Sequence, residues 1–100
     1  MKQFIAQSIT DAKERILISQ LGDNLASFEK SLEGKKPSKD ALYCSQFNVN
    51  RFNIVLSLEM TKNNNTLYIS IDNEEFTELS SKNIHHLFIS AFNILVGEVM

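Results

Sequence analysis

The stretch FNIVLSLEMTKNNNTLYISID, residues 52 to 72, decides the fold. Phe52, Ile54, Leu56, Leu58 and Met60 alternate with Asn53, Ser57 and Glu59, and that period of two describes a half-buried strand. Leu67, Ile69 and Ile71 alternate with Tyr68, Ser70 and Asp72 in the same way. Between them stands KNNN, residues 62 to 65. Asparagine accepts positive φ more readily than other non-glycine residues, so a hairpin turn is expected there. Upstream, Leu42 to Phe47 is expected to pair with the 52–61 strand through a turn at Asn48–Arg51. The sum is a three-stranded antiparallel meander.

Before the meander the period changes to helical. Ile5, Ile9, Ala12 and Ile16 make one stripe, and Leu21, Leu25, Phe28 and Leu32 make another. At about 100° per residue the second stripe lies roughly opposite the first. The phase break near Ile16–Ile18, followed by Gly22 and Asp23, predicts a kinked helix or two helices over residues 3–33. A strand at Arg15–Gln20 is the competing assignment. Gly34 and Pro37 then end the helical region and open the loop EGKKPSKD, residues 33 to 40.

After the meander, residues 73 to 78 read as an acidic loop, with Ser80 or Ser81 capping a final helix. From Ile84 onward Glu98 is the only charged side chain, and the apolar arc is far wider than the ~100° stripe of an ordinary surface helix. Either the N-terminal helical segment covers its second flank or another copy of the protein does. In the latter case His86, Ile89, Asn93, Val96 and Met100 form the contact face. The expected fold is thus α+β in one domain, residues 1–100. The core is expected to hold Ile54, Leu56, Leu58, Leu67, Ile69, Ile71, Leu87, Phe88, Phe92 and Leu95.

Composition narrows the function classes. A net charge of -2 and a pI near 5.6 lack the basic footprint of nucleic-acid-binding domains. One cysteine excludes an internal disulfide and fits a reducing compartment. The stretch MKQFIAQSITDAKERI carries charges and glutamines where an export signal needs an apolar core, and no run of 18 apolar residues exists. The expected location is cytoplasmic, away from membranes.

Candidate chemistry is sparse. His85 and His86 are adjacent, whereas two metal ligands on one helical face need i, i+4 spacing, so no metal site or cofactor is expected. His85 is placed in the apolar arc beside Phe92 and Val96 and is read as a structural histidine, burial in the neutral form being the alternative. Cys44, in a strand, is read as a small buried hydrophobe. The one dense cluster of like charge is Asp72, Glu74, Glu75 and Glu78, with Phe76 among them. It lacks the alternating ligands and central glycine of a calcium loop, but it suits a contact surface for a basic partner.

The order NNNTLYIS, an acidic stretch, then FISAF within a helix resembles part of a family of nuclease-inhibiting anti-CRISPR proteins of Listeria prophages. The likeness covers residues 63–92 only, and this chain lacks that family's heavy acidic load. What the resemblance implies is a small helix–meander–helix molecule acting as a stoichiometric inhibitor. With no catalytic set in the sequence, the expected function is non-enzymatic binding of another protein, of inhibitor, immunity or adaptor type. The alternative is a small homodimeric nucleic-acid-binding module using the lysine loop 30–39, with Tyr43, Phe47 or Tyr68 available for stacking.

Overall fold

The computed structural model describes residues 2–36 and 42–99, with side chains placed from Ala12 onward within those ranges. Helix α1 spans Lys2–Ser31, strands β1 (Leu42–Val49), β2 (Phe52–Met60), β3 (Asn65–Ile71) and β4 (Glu74–Ser81) follow, and α2 (Ile84–Val99) comes last. The strands form one antiparallel sheet in the order β1-β2-β3-β4. The α+β class is as expected, but the meander has four strands instead of three.

Turn chemistry explains the hairpins. Asn50 and Arg51 join β1 to β2 with φ of 49° and 73°, and Asp72 and Asn73 join β3 to β4 with φ of 53° and 68°. Two successive positive φ values define the I′ turn, whose twist matches that of the strands it joins. The expected asparagine turn between β2 and β3 is built differently. Thr61 donates from both its backbone N–H and its hydroxyl to the Asn64 carbonyl, at 2.8 and 2.7 Å, and accepts from the Asn64 N–H at 3.0 Å. No positive φ is needed there.

The segment read as an acidic loop is β4. Leu67 pairs with Leu79 and Ile69 with Thr77, so Thr77, Leu79 and Ser81 continue the inner-face rows while Glu78 and Ser80 point outward. Glutamate is a poor strand former, and it masked this alternation. A register shift leaves Phe76 as the extra residue of a bulge, between Glu75 opposite Ser70 and Thr77 opposite Ile69. Consequently neither Ser80 nor Ser81 caps α2. Asn83 does, its Oδ1 accepting the His86 N–H at 3.3 Å, while the Ser81 hydroxyl accepts the Asn83 N–H at 3.1 Å.

Both helices lie on one face of the sheet, α2 along β3 and β4 and α1 beside it toward β1. All ten residues expected in the core are at least partly buried, Ile71 and Phe92 being the two at its edge. Fully burying a leucine or isoleucine is worth ~1.5–3 kcal/mol, so the rows Ile54–Leu56–Leu58 and Leu67–Ile69 hold the layers together. Asn65 is the buried polar residue among them, and its amide donates to the Ser81 and Lys82 carbonyls at 3.1 and 3.3 Å. That pair of bonds fixes where β4 ends.

The N-terminal segment is one continuous helical element, not two helices or a strand. Leu21, Leu25, Phe28 and Leu32 dock as one stripe on the core, and that packing outweighs the ~1 kcal/mol that Gly22 costs a helix interior. The two described residues of the first stripe, Ala12 and Ile16, are exposed, Ile16 at 58%. Ile5 and Ile9 lie outside the residues whose side chains are described. Across the helix layer, Phe28 meets Phe88 edge to face, with centroids 5.5 Å apart and planes at 75°. The second flank of the apolar α2 is therefore covered by α1.

Candidate protein-binding surface

The helices leave the opposite face of the sheet open, and the strand registers lay out its side chains in rows. One row runs Leu42, Glu59, Thr66, Ser80; the next runs Cys44, Ser57, Tyr68, Glu78; a third runs Gln46, Val55, Ser70, Glu75. Short polar contacts run along the rows: Cys44 Sγ lies 3.4 Å from Ser57 Oγ, and Thr66 Oγ1 lies 3.2 Å from Ser80 Oγ. The Gln46 side-chain amide donates to Asn53 Oδ1 at 3.0 Å.

The charge on this sheet has one sign. The strands carry Glu59, Glu74, Glu75 and Glu78, and no lysine or arginine. Tyr68 sits at the centre of the outer face, and its phenol is pushed above its ordinary pKa by Glu59 first, then by loss of hydration, Glu78 and Glu75. A carboxylate opposes ionisation of a neighbouring phenol because a second negative charge is disfavoured beside it. Carboxylates of β2 and β4 thus flank the phenol from both sides of β3.

The five residues expected to bind a partner occupy two adjoining places, with Glu75 shared by both. Glu75 and Glu78 stand on the outer face with Tyr68. Glu74 and Phe76 instead line a hollow of about 250 Å³ with Ile71, Asp72, Glu75 and Glu98. Asp72 has a structural duty in the I′ turn, since its Oδ1 accepts the Asn53 N–H at 2.8 Å and its own N–H donates to the Asn53 carbonyl. Phe76 remains 38% exposed at the rim. Two carboxylates of this surface were missed in the sequence. Glu59 was legible as an outward residue of β2, and Glu98 joins only because α2 ends beside the β3–β4 turn.

The helix side carries the residues expected to self-associate. His86, Ile89 and Asn93 are exposed, Val96 is partly buried against the core, and Met100 lies outside the described residues. Ile89 borders an apolar groove with Ala26, Leu25, Gly22 and Phe92. His85 is not buried: its side chain is 65% exposed, and its Nδ1 lies 2.9 Å from Glu29 Oε2 on α1. Helix α1 supplies a carboxylate at that position where the wheel alone showed only apolar neighbours.

Among the described residues, nucleophilic and stacking chemistry find no assembled site. Cys44 is exposed on the outer sheet face, contrary to the expected buried position, because β1 puts its even-numbered residues outward. It is therefore separated from His85 and His86 by the thickness of the sheet. Among the described residues no group of three or more His, Cys, Asp and Glu side chains converges as a metal site. Tyr43 and Phe47 face the helices, so Tyr68 alone of the expected stacking residues faces outward, among carboxylates. Lys30, in the last turn of α1, and Lys35 and Lys36 beyond it are exposed, and Lys39 lies outside the described residues.

Among the described residues no helix is long and apolar enough to cross a membrane. Comparison with protein-family models, curated proteins and solved structures gives no match.

Proposed function

We propose that this chain is a non-enzymatic binding protein of inhibitor, immunity or adaptor type, which associates stoichiometrically with a basic protein partner in the cytoplasm. The observation that supports this is the open sheet face: Glu59, Glu75 and Glu78 around Tyr68, with no basic residue in any strand. A rigid sheet holds these side chains in fixed rows, so a partner's arginines or lysines meet a preformed pattern. Like charges gathered on one face raise the encounter rate with a basic surface and repel acidic ones. Tyr68 adds a flat ring over which a guanidinium can stack. Glu74, Phe76 and Glu98 extend the contact around the β4 edge.

The experiment is affinity capture of the tagged protein from its native lysate, beside a Glu74→Lys/Glu75→Lys/Glu78→Lys variant. A stoichiometric partner present with the first and lost with the second supports the proposal. A partner retained at full yield by the folded variant overturns it.

A further inference from the structure

The two edges of the sheet are built in opposite ways. Strand β4 carries Glu74, Glu75 and Glu78 and a bulge at Phe76, and charge and bulging are the devices that keep an edge from pairing with another strand. Strand β1, LYCSQFNV, has no charge, no proline, no glycine and no bulge against β2. Its register runs unbroken over eight residue pairs. No described strand pairs with its second edge.

The I′ turn fixes which backbone groups face that edge. Val49 and Phe52 flank the turn and form a hydrogen-bonded pair, so Val49, Phe47, Ser45 and Tyr43 spend their amides on β2. Leu42, Cys44, Gln46 and Asn48 direct theirs outward.

We infer that β1 is a homodimerisation edge, pairing antiparallel with β1 of a second copy to give one continuous eight-stranded sheet. In the register that sets Leu42 opposite Asn48 of the other copy and Cys44 opposite Gln46, all four outward-directed residues find partners. Ser45 then lies on the two-fold axis. Residues facing each other keep the same sheet face, so the axis is normal to the sheet and both helix layers stay on one side. The charge pattern favours a second copy as occupant. The uncharged row Leu42, Cys44, Gln46, Asn48 meets itself at the centre, and the carboxylates of β4 move to opposite ends of the assembly. The proposed binding surface is then presented twice, pointing the same way.

The chain's single cysteine provides the probe, because Cys44 of one copy falls diagonal to Cys44 of the other, ~7–8 Å away. The experiment combines light-scattering mass measurement over a concentration series with a short bis-maleimide crosslinker, on the wild type, Gln46→Pro, Gln46→Lys and Glu75→Lys/Glu78→Lys. Proline at 46 removes an outward N–H and leaves the β1–β2 ladder intact, and the lysine variant blocks the edge without touching the backbone. The expected result is a dimer crosslinked through Cys44, weakened about tenfold or more by either change at 46 and unaffected by the charge reversals. A wild type that stays monomeric at high concentration overturns the inference. So does a dimer that ignores both changes at 46.

Discussion

Tyr68 on β3 stands directly opposite Glu78 on β4, and both point away from the helices. This pair places an aromatic ring and a carboxylate side by side on an open surface, with Glu59 and Glu75 close enough to act on the same phenol. The raised pKa gives a direct optical test. In a Tyr43→Phe background, ultraviolet titration is expected to show Tyr68 ionising above the ordinary tyrosine value, and Glu59→Gln is expected to lower it most. The folded protein holds this proton more tightly than the unfolded chain, so stability falls as pH rises from about 10 through the folded-state value. A Tyr68 titration unchanged by Glu59→Gln contradicts the assigned cause.

The helix layer hangs on the edge-to-face contact of Phe28 and Phe88. Truncation of either to alanine removes a buried ring and leaves a cavity, with an expected loss of about 3–5 kcal/mol in urea unfolding. The double mutant should fall short of the summed losses by about 0.5–1.5 kcal/mol, the coupling of an aromatic pair. Strict additivity argues against α1 docking on α2 through these rings.

Two backbone positions carry avoidable cost. Arg51 holds φ of 73° in the β1–β2 turn, where Asn-Gly is the favoured I′ pair, so Arg51→Gly is expected to stabilise by roughly 0.5–1 kcal/mol. Gly22 lies within α1, and a Cβ there meets Phe92 at 3.6 Å, ordinary contact distance. Gly22→Ala is expected to gain about 0.5–1 kcal/mol in thermal unfolding. A loss at Gly22 contradicts the continuous helix through that position.

Asn65 and Asn83 set the β4–α2 junction. Asn65→Ala leaves the Ser81 and Lys82 carbonyls without their buried donor, an expected cost of about 1–3 kcal/mol. Asn83→Ala removes the cap of α2 for about 1 kcal/mol, while Ser80→Ala should change little. Chemical denaturation of the three variants checks the order.

The strands β1 to β3 and the packing face of α2 were legible because alternation and helical period are direct consequences of backbone geometry. Strand β4 was hidden by composition: its glutamates belong to an edge, where charge is an asset, and they imitate a loop. The helix break at Gly22 was a local signal overridden by tertiary packing, since the Leu21–Leu32 stripe needs continuity to dock. The candidate surface was half legible. Glu75 and Glu78 cluster in sequence, but Glu59 and Tyr68 join them only through strand pairing, and Glu98 only through the placement of α2.

The central claim is that the sheet face, and not the helix layer, engages the partner. It is tested most directly by comparing native-lysate capture by the wild type with Glu75→Lys/Glu78→Lys on the sheet and Ile89→Glu on the helix, each verified as folded by circular dichroism. The account predicts that the sheet variant loses the stoichiometric partner and the helix variant keeps it. Loss with Ile89→Glu and retention with Glu75→Lys/Glu78→Lys would contradict it.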